Sequence, residues 1–490
     1  MAQNYSLEHY SLKNNNLLMK FIDRQVEMRR LDALVDRAEG GLAVVWGRRR
    51  IGKTRLLLEW CRRHEGLYAV ADQSAPPVQR AYLAQALSVR FPTLGEATYP
   101  EWPSLLRRIA HEAEAAAWRG PLVFDEFPYW AGASADLASQ FQRWVDGEAR
   151  QARLCVAIAG SSQRMMQGLV LDASAPLYGR AVELMEIGPL GAGFLGQGLK
   201  ITDPVSCVRS YAVWGGVPRY WELAEPYGTD LDRAVDHCIL DPLGPLHREP
   251  DRLLLEELPP AAACRPILDV IGMGAHRLSE IAGRLGKPAT SLTRALARLV
   301  DLGLVAREQP YGESEKSGKR SLYRIADPLF RCWFRVVAPH RALLAQAAPA
   351  VRLGLWHEAR ASLFADAWEE LCRQAVPRIH EGRSPLARFG PWKPAARYWH
   401  GNEPEWDIVA ESLEGKHLLL GEAKWTETTL SEKILDQAVG GLKAKGIPSS
   451  MRGKRHQVVY ALFVPRTLSK RGRRQDAHVV DARDVLSCLR

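Results

Sequence analysis

Short, unbroken apolar runs closed by polar or acidic residues mark the first part of the chain. Residues 42–46, 121–124 and 154–160 show no alternation of apolar and polar positions. That pattern predicts strands covered on both faces, as in a parallel sheet. Behind the first run, Leu56, Leu57 and Trp60 recur at helical spacing. Farther along, residues 278–286 and 287–299 each repeat apolar positions every three or four residues, with a glycine turn between them. They predict a helix-turn-helix. Residues 302–307 and 322–325 read as strands flanking the polar loop 311–320, so two helices and a stranded flap predict a winged helix. Near the end, residues 405–410 and 418–425 flank Glu414-Gly415 and predict a β-hairpin.

The joint between the first strand and its helix reads Gly47-Arg48-Arg49-Arg50-Ile51-Gly52-Lys53-Thr54. This fills the phosphate-loop pattern G-x-x-x-x-G-K-[ST] at every fixed position. Glycines at both ends let successive backbone N–H groups point inward at phosphates, and the following helix adds its positive end. Lys53 is expected on the β- and γ-phosphates and Thr54 on Mg²⁺. The second run ends in Asp125-Glu126, placing one carboxylate for the metal and one to polarise an attacking water. The third ends in Ser161-Ser162, where a hydroxyl would sense the γ-phosphate. Arg180 in Leu177-Tyr178-Gly179-Arg180 is a candidate arginine finger, acting within one copy or between two copies of a homo-oligomer. Residue type alone equally allows a surface arginine after a turn.

These segments together resemble the archaeal-type P-loop ATPases, relatives of the AAA+ and STAND classes. The resemblance rests on six ordered motifs: Phe21 to Glu27, the loop itself, Phe124-Asp125-Glu126-Phe127-Pro128, Gly160-Ser161-Ser162, Tyr178-Gly179-Arg180, and Gly215 to Tyr220. It covers about residues 21–240 and implies an ATP-hydrolysing α/β domain with a small helical lid. Choice of ATP over GTP comes from the resemblance.

If the helix-turn-helix reads DNA, Thr290, Ser291, Thr293, Arg294 and Arg298 occupy its second helix, and Lys316, Lys319 and Arg320 would touch phosphates from the flap. A spacer or protein-docking role fits the same pattern, because Glu313 and Glu315 dilute the flap's charge.

In the hairpin, a two-residue turn at Glu414-Gly415 pairs position 413 with 416 and places Asp407 opposite Glu422. Glu422 and Lys424 share a strand face. Two facing carboxylates call for a cation between them, and a hard divalent ion with oxygen ligands fits. Lys424 would then orient a metal-bound water near a phosphodiester. An Asp followed by Glu-x-Lys across a hairpin resembles the restriction-endonuclease-like PD-(D/E)xK core. Glu369, in a helix expected over 365–376, stands where that fold adds another acid. Trp406 stands where the pattern has Pro.

At 490 residues the chain exceeds one core, and its balance of 47% hydrophobic and 25% charged residues is that of a globular protein. The expected organisation is an extension at 1–20, a P-loop domain with lid at 21–245, a winged helix at 250–335 and a nuclease-like α/β domain at 345–490. A net charge of +10 leans toward a polyanionic partner, with DNA the expected one. The stretch 466–474 could guide nucleic acid or be a solvated face. No apolar stretch approaches the roughly 20 residues of a membrane span. The eight cysteines stand singly without zinc spacing, the usage of reduced thiols in a cytoplasm, and residues 1–16 lack an export pattern. An ATPase switch that binds DNA or a protein without cutting is the alternative to a nuclease.

Overall fold

In a computed structural model of the chain, the described residues are 20–258, 264–314, 320–380, 384–453, 456–467, 473–474 and 477–490. They fall into two compact units: residues up to Leu190 with Val217–Arg219, and Gly191–Gly216 with Tyr220–Arg490.

The first unit is built on five parallel strands: β1 (Gly41–Trp46), β2 (Leu67–Val70), β3 (Pro121–Asp125), β4 (Cys155–Gly160) and β5 (Ala181–Glu186). Their order is β2-β3-β4-β1-β5. All of β3 and β4 and five of the six residues of β1 are buried, so the unbroken apolar runs are the signature of a sheet covered on both faces. Strand β4 lies between β1 and β3, with Trp46 beside Gly160 and Ile158 beside Phe124. The tips of these three strands therefore share one edge, and the tip of β4 falls between the other two. Helix α1 (Gln25–Val35) precedes the sheet, and α2 (Lys53–Arg63) buries Leu56, Leu57 and Trp60. After β3, α3 (Phe127–Ala133) and α4 (Leu137–Asp146) enclose an aromatic cluster. Phe127 and Phe141 have ring centroids 4.7 Å apart, and Phe124 meets Phe141 edge-on at 5.6 Å. These contacts anchor both sides of Asp125-Glu126.

The second unit packs α5 (Pro204–Trp214), α8 (Pro328–Val336) and the 27-residue α9 (Pro349–Ala375) against one another. Helices α6 (Leu278–Leu285) and α7 (Ala289–Asp301) are joined through Gly286, whose φ of 61° ends α6 in the left-handed region. Strands β6 (Val305–Glu308) and β7 (Leu322–Ile325) pair antiparallel. The expected first strand thus starts later, because Leu302 caps α7 and Gly303 turns at φ 65°.

The C-terminal sheet holds β8 (Ala396–Tyr398), β9 (Trp406–Glu411), β10 (His417–Ala423), β11 (Gln457–Phe463), β12 (Arg473–Arg474) and β13 (Ala477–Val480) in the order β12-β13-β11-β10-β9-β8. β9 and β10 are antiparallel, while β10, β11 and β13 run parallel. Helix α10 (Glu432–Ala444) connects β10 to β11. No helix among the described residues is long and apolar enough to cross a membrane. All eight cysteines are free and buried, and burial pushes the Cys155 and Cys332 thiols up to about 12.

Candidate functional site

The phosphate loop leaves β1 at Gly47, with φ 147°, and enters α2 through Gly52, with φ 95°. A Cβ on Gly47 would lie 2.4 Å from the Ile187 carbonyl oxygen, so backbone crowding admits only glycine there. Lys53 is 6% exposed and its ammonium donates to the carbonyls of Gly47 and Arg48 at 2.7 and 3.1 Å. Arg49 reaches the Tyr129 hydroxyl at 2.6 Å. Arg24, buried at φ 66°, donates to the carbonyls of Ile51 and Gly188 and pairs with Glu27 at 2.9 Å, which ties the entry segment to the loop.

Thr54 and Asp125 meet directly. The Thr54 hydroxyl donates to Asp125 Oδ2 at 2.8 Å, the Tyr68 hydroxyl donates to the same oxygen at 2.6 Å, and the Glu126 N–H donates to Oδ1 at 2.9 Å. A hydroxyl and a carboxylate held this close are hard oxygen donors, and their chemistry fits Mg²⁺. Glu126, at φ 51°, turns the other way. Its Oε2 accepts from the Ser161 N–H at 3.2 Å and the Ser161 hydroxyl at 3.0 Å. Loop, acid pair and serine thus converge at one sheet edge.

Arg180 does not join them. It precedes β5, whose Ala181 pairs with Leu42 at the start of β1, whereas the loop leaves the end of β1. At about 3.3 Å per strand residue, the six residues of β1 set Arg180 on the order of 15–20 Å from the phosphates. It contacts Asp146 at 3.5 Å and donates to the Tyr178 carbonyl at 2.9 Å.

In the second unit, β9 and β10 pair Glu411 with Leu418, Ala410 with Leu419, Val409 with Leu420 and Ile408 with Gly421. The ladder ends there; the same register carried one step further would bring Asp407 opposite Glu422, and the Ala423 N–H donates to Asp407 Oδ2 at 3.0 Å. The turn differs from the expected two-residue form. Ser412 closes on His417 at 2.9 Å and Leu413 donates to the Pro391 carbonyl, so residues 413–416 form a wider loop with unchanged register.

Helix α9 brings Glu369 to this place. Burial pushes the Glu369 carboxyl above its ordinary value and Asp407 pushes it further. Burial also raises Asp407, and Glu422 adds to the effect. Glu422 runs the opposite way: burial opposes ionisation, but Lys445 and Lys424 bring it below its usual range. Lys445 Nζ stands 2.9 Å from Glu422 Oε2, and Lys424 Nζ stands 3.3 Å from Oε1. Arg373 donates to the Asp407 carbonyl at 3.2 Å and meets Glu369 at 3.5 Å. Asp407 thus interacts with Glu369 on one side and Glu422 on the other, and carboxylate oxygens are the donors that a hard cation takes. Among the described residues, however, no three His, Cys, Asp or Glu side chains are grouped tightly enough to hold a metal ion. Sequence reasoning missed Lys445, Arg373 and Tyr68, none of which lies in a motif.

On α7, Thr290, Ser291, Thr293 and Arg294 are exposed and Arg298 is half-buried. Ser291 and Thr293 direct their hydroxyls back to the carbonyls of Pro288 and Ala289, at 2.7 and 3.4 Å. The flap is partly engaged: Tyr311 N–H donates to the Arg397 carbonyl at 2.7 Å, and Arg320 pairs with Glu313 at 2.5 Å. Lys316 and Lys319 lie outside the described residues, as do 468–472 of the basic stretch, while Arg466 pairs with Asp203.

Comparison with known proteins places residues 21–220 in an ATPase domain family found predominantly in Archaea. Residues 333–436 match a family of archaeal and bacterial proteins of unknown function. An uncharacterised protein of Methanocaldococcus jannaschii is 27% identical over 413 residues, 83% of this chain and 88% of that protein. Among solved structures, the Walker-type ATPase of Pyrococcus abyssi aligns with a TM-score of 0.49 at 18% identity, covering 64% of this chain and 96% of that one. The ORC2 protein of Aeropyrum pernix, with ADPNP and ADP, aligns at 0.46 and 15% identity, covering 69% and 98%.

Proposed function

Because residues 21–220 are an ATPase domain of the kind found predominantly in Archaea, we propose that the chain hydrolyses ATP and acts on nucleic acid, with DNA the expected substrate, through a Mg²⁺-dependent nuclease module. In the first unit, the loop amides and Lys53 bind the phosphates, Thr54 and Asp125 would hold Mg²⁺, Glu126 orients water and Ser161 reads the γ-phosphate. Bound there, Mg²⁺ would neutralise charge on the transferred phosphoryl group. Arg180 stands too far from its own loop to serve it, so its role as a finger requires a second copy of the chain. Mixing Arg180→Ala protein with Lys53→Ala protein then restores turnover that neither has alone; inactive mixtures would remove Arg180 from the site.

In the second unit, α6, α7 and β6–β7 act as a winged helix whose α7 face meets DNA, and residues 345–490 act as a restriction-endonuclease-like domain. One observation supports the nuclease reading: the β9–β10 register, extended one step past Ile408–Gly421, brings Asp407 beside Glu422, with the Ala423 N–H on Asp407 Oδ2 and Lys424 two residues on from Glu422. Glu369, Asp407 and Glu422 would hold the metal, and Lys424 would orient water toward the phosphodiester. Glu422→Ala should abolish Mg²⁺-dependent DNA cleavage and leave ATP hydrolysis intact, while persistent nicking by that variant would end the assignment.

The second reading, an ATPase switch that binds without cutting, is favoured by the lysine contacts on both oxygens of Glu422. It predicts ATP-dependent DNA or partner binding and no cleavage with Mg²⁺ or Mn²⁺.

A further inference from the structure

The acid site of the second unit already contains a cation of the protein's own. Lys445 caps the C-terminal end of α10 and extends its ammonium to Glu422 Oε2 at 2.9 Å and to the Glu405 carbonyl at 3.0 Å. Its Nζ stands 5.2 Å from the centroid of the Trp406 ring, within cation–π range. Trp406 is the residue that replaces the Pro of the nuclease pattern, and here its ring is buried, fixing the platform on which the lysine rests.

Three weak holds on one ammonium act together. A charge-assisted bond to a carboxylate is about twice as strong as a neutral one, and the carbonyl and the ring fix its direction. Both Glu422 oxygens are engaged by ammonium groups, Oε2 by Lys445 at 2.9 Å and Oε1 by Lys424 at 3.3 Å, so a divalent ion that takes Oε2 meets Lys445 there. Ammonium and metal therefore compete for one oxygen.

We propose that Lys445 is a resident counter-ion that occupies the metal's place on Glu422 and must be displaced before a divalent cation binds, which makes it the residue that sets the site's metal affinity. This rests on the metal-site reading above.

The test is calorimetric titration of nucleotide-free full-length protein with Mn²⁺, with Glu422→Ala defining the component that belongs to this site. Lys445→Met is expected to tighten that component about tenfold, the size of one charge-assisted hydrogen bond removed from the competing state. Lys445→Arg, which keeps a cation over Trp406, should stay near wild type. Unchanged or weaker Mn²⁺ binding by a folded Lys445→Met protein overturns the proposal. Absence of any Glu422-dependent Mn²⁺ binding in wild type and in Lys445→Met alike overturns the metal-site reading itself. Binding that emerges only in Lys445→Met supports the exchange.

Discussion

The phosphate-loop site and the carboxylate–lysine site both place acids at the ends of buried strands, yet they are assembled in different ways. The first depends on local chemistry. Eight consecutive residues supply the loop, glycine φ values shape it, and Thr54 meets Asp125 directly. The second is assembled from distant elements. Glu369 comes from α9, Asp407 from β9, Glu422 and Lys424 from β10 and its end, and Lys445 from the end of α10. A locally encoded site should fail chemically when mutated, while an assembled one should also fail through its supports.

The largest expected effect tests the local half. Glu126→Gln should lower ATP turnover by about 10²–10⁴-fold, the range for removal of a group that handles the attacking water, with nucleotide binding and thermal midpoint kept. A steady-state ATPase assay with a melting curve checks both, and a collapsed midpoint would place Glu126 in the fold's support instead.

The second prediction tests the assembled half. Glu370, beside Glu369 on α9, is buried and pairs with Arg331 at 2.8 Å and Arg324 at 3.4 Å, while Arg324 also meets Glu308 of β6 at 2.5 Å. Burial alone would neutralise Glu370, but the two arginines hold it below the ordinary range. Glu370→Ala takes from buried Arg331 its paired carboxylate and leaves Arg324 to Glu308, and should cost about 3–5 kcal/mol. Calorimetry should register this as a lowered transition of the second unit, with ATP hydrolysis by the first unit retained.

A smaller effect separates the two halves by pH. Asp232 joins residues 231–235 to α9 through Trp356 at 2.7 Å, His357 at 2.9 Å and Arg360 at 2.9 Å. Burial raises its carboxyl, but these donors outweigh burial and depress it. A depressed acid stabilises the fold above its unfolded value, about 3.9, and that stabilisation fades as pH falls through the folded value. Asp232→Asn should therefore lower the melting midpoint at pH 7 by an amount equivalent to about 1 kcal/mol or less. The gap to wild type should close below about pH 4. A gap that widens in acid would contradict the sign.

The same contrast explains what was legible in the sequence. The loop and the strands carrying Asp125 and Ser161 were readable because an unbroken apolar run, a glycine and an amphipathic helix are encoded within neighbouring residues. The register of β9 on β10 was readable because antiparallel pairing follows from spacing about a turn, even though the turn itself is wider than two residues. Lys445 was not legible: its position depends on how α10 returns to the start of β9, which no local pattern specifies. Arg180 was identified as a residue but not as a location, because the parallel pairing of β5 with β1 sends it to the opposite sheet edge. Tyr68 reaches Asp125 only because β2 neighbours β3.

The central claim is that the two units carry two chemically separate sites, and Glu422→Ala tests it most directly when ATP hydrolysis and Mg²⁺-dependent DNA cleavage are measured on the same preparation. ATP turnover within about twofold of wild type with cleavage abolished is the predicted result, the signature of an interaction removed from one reaction alone. Cleavage that survives in the variant, or ATP hydrolysis that disappears while the fold is intact, would contradict it.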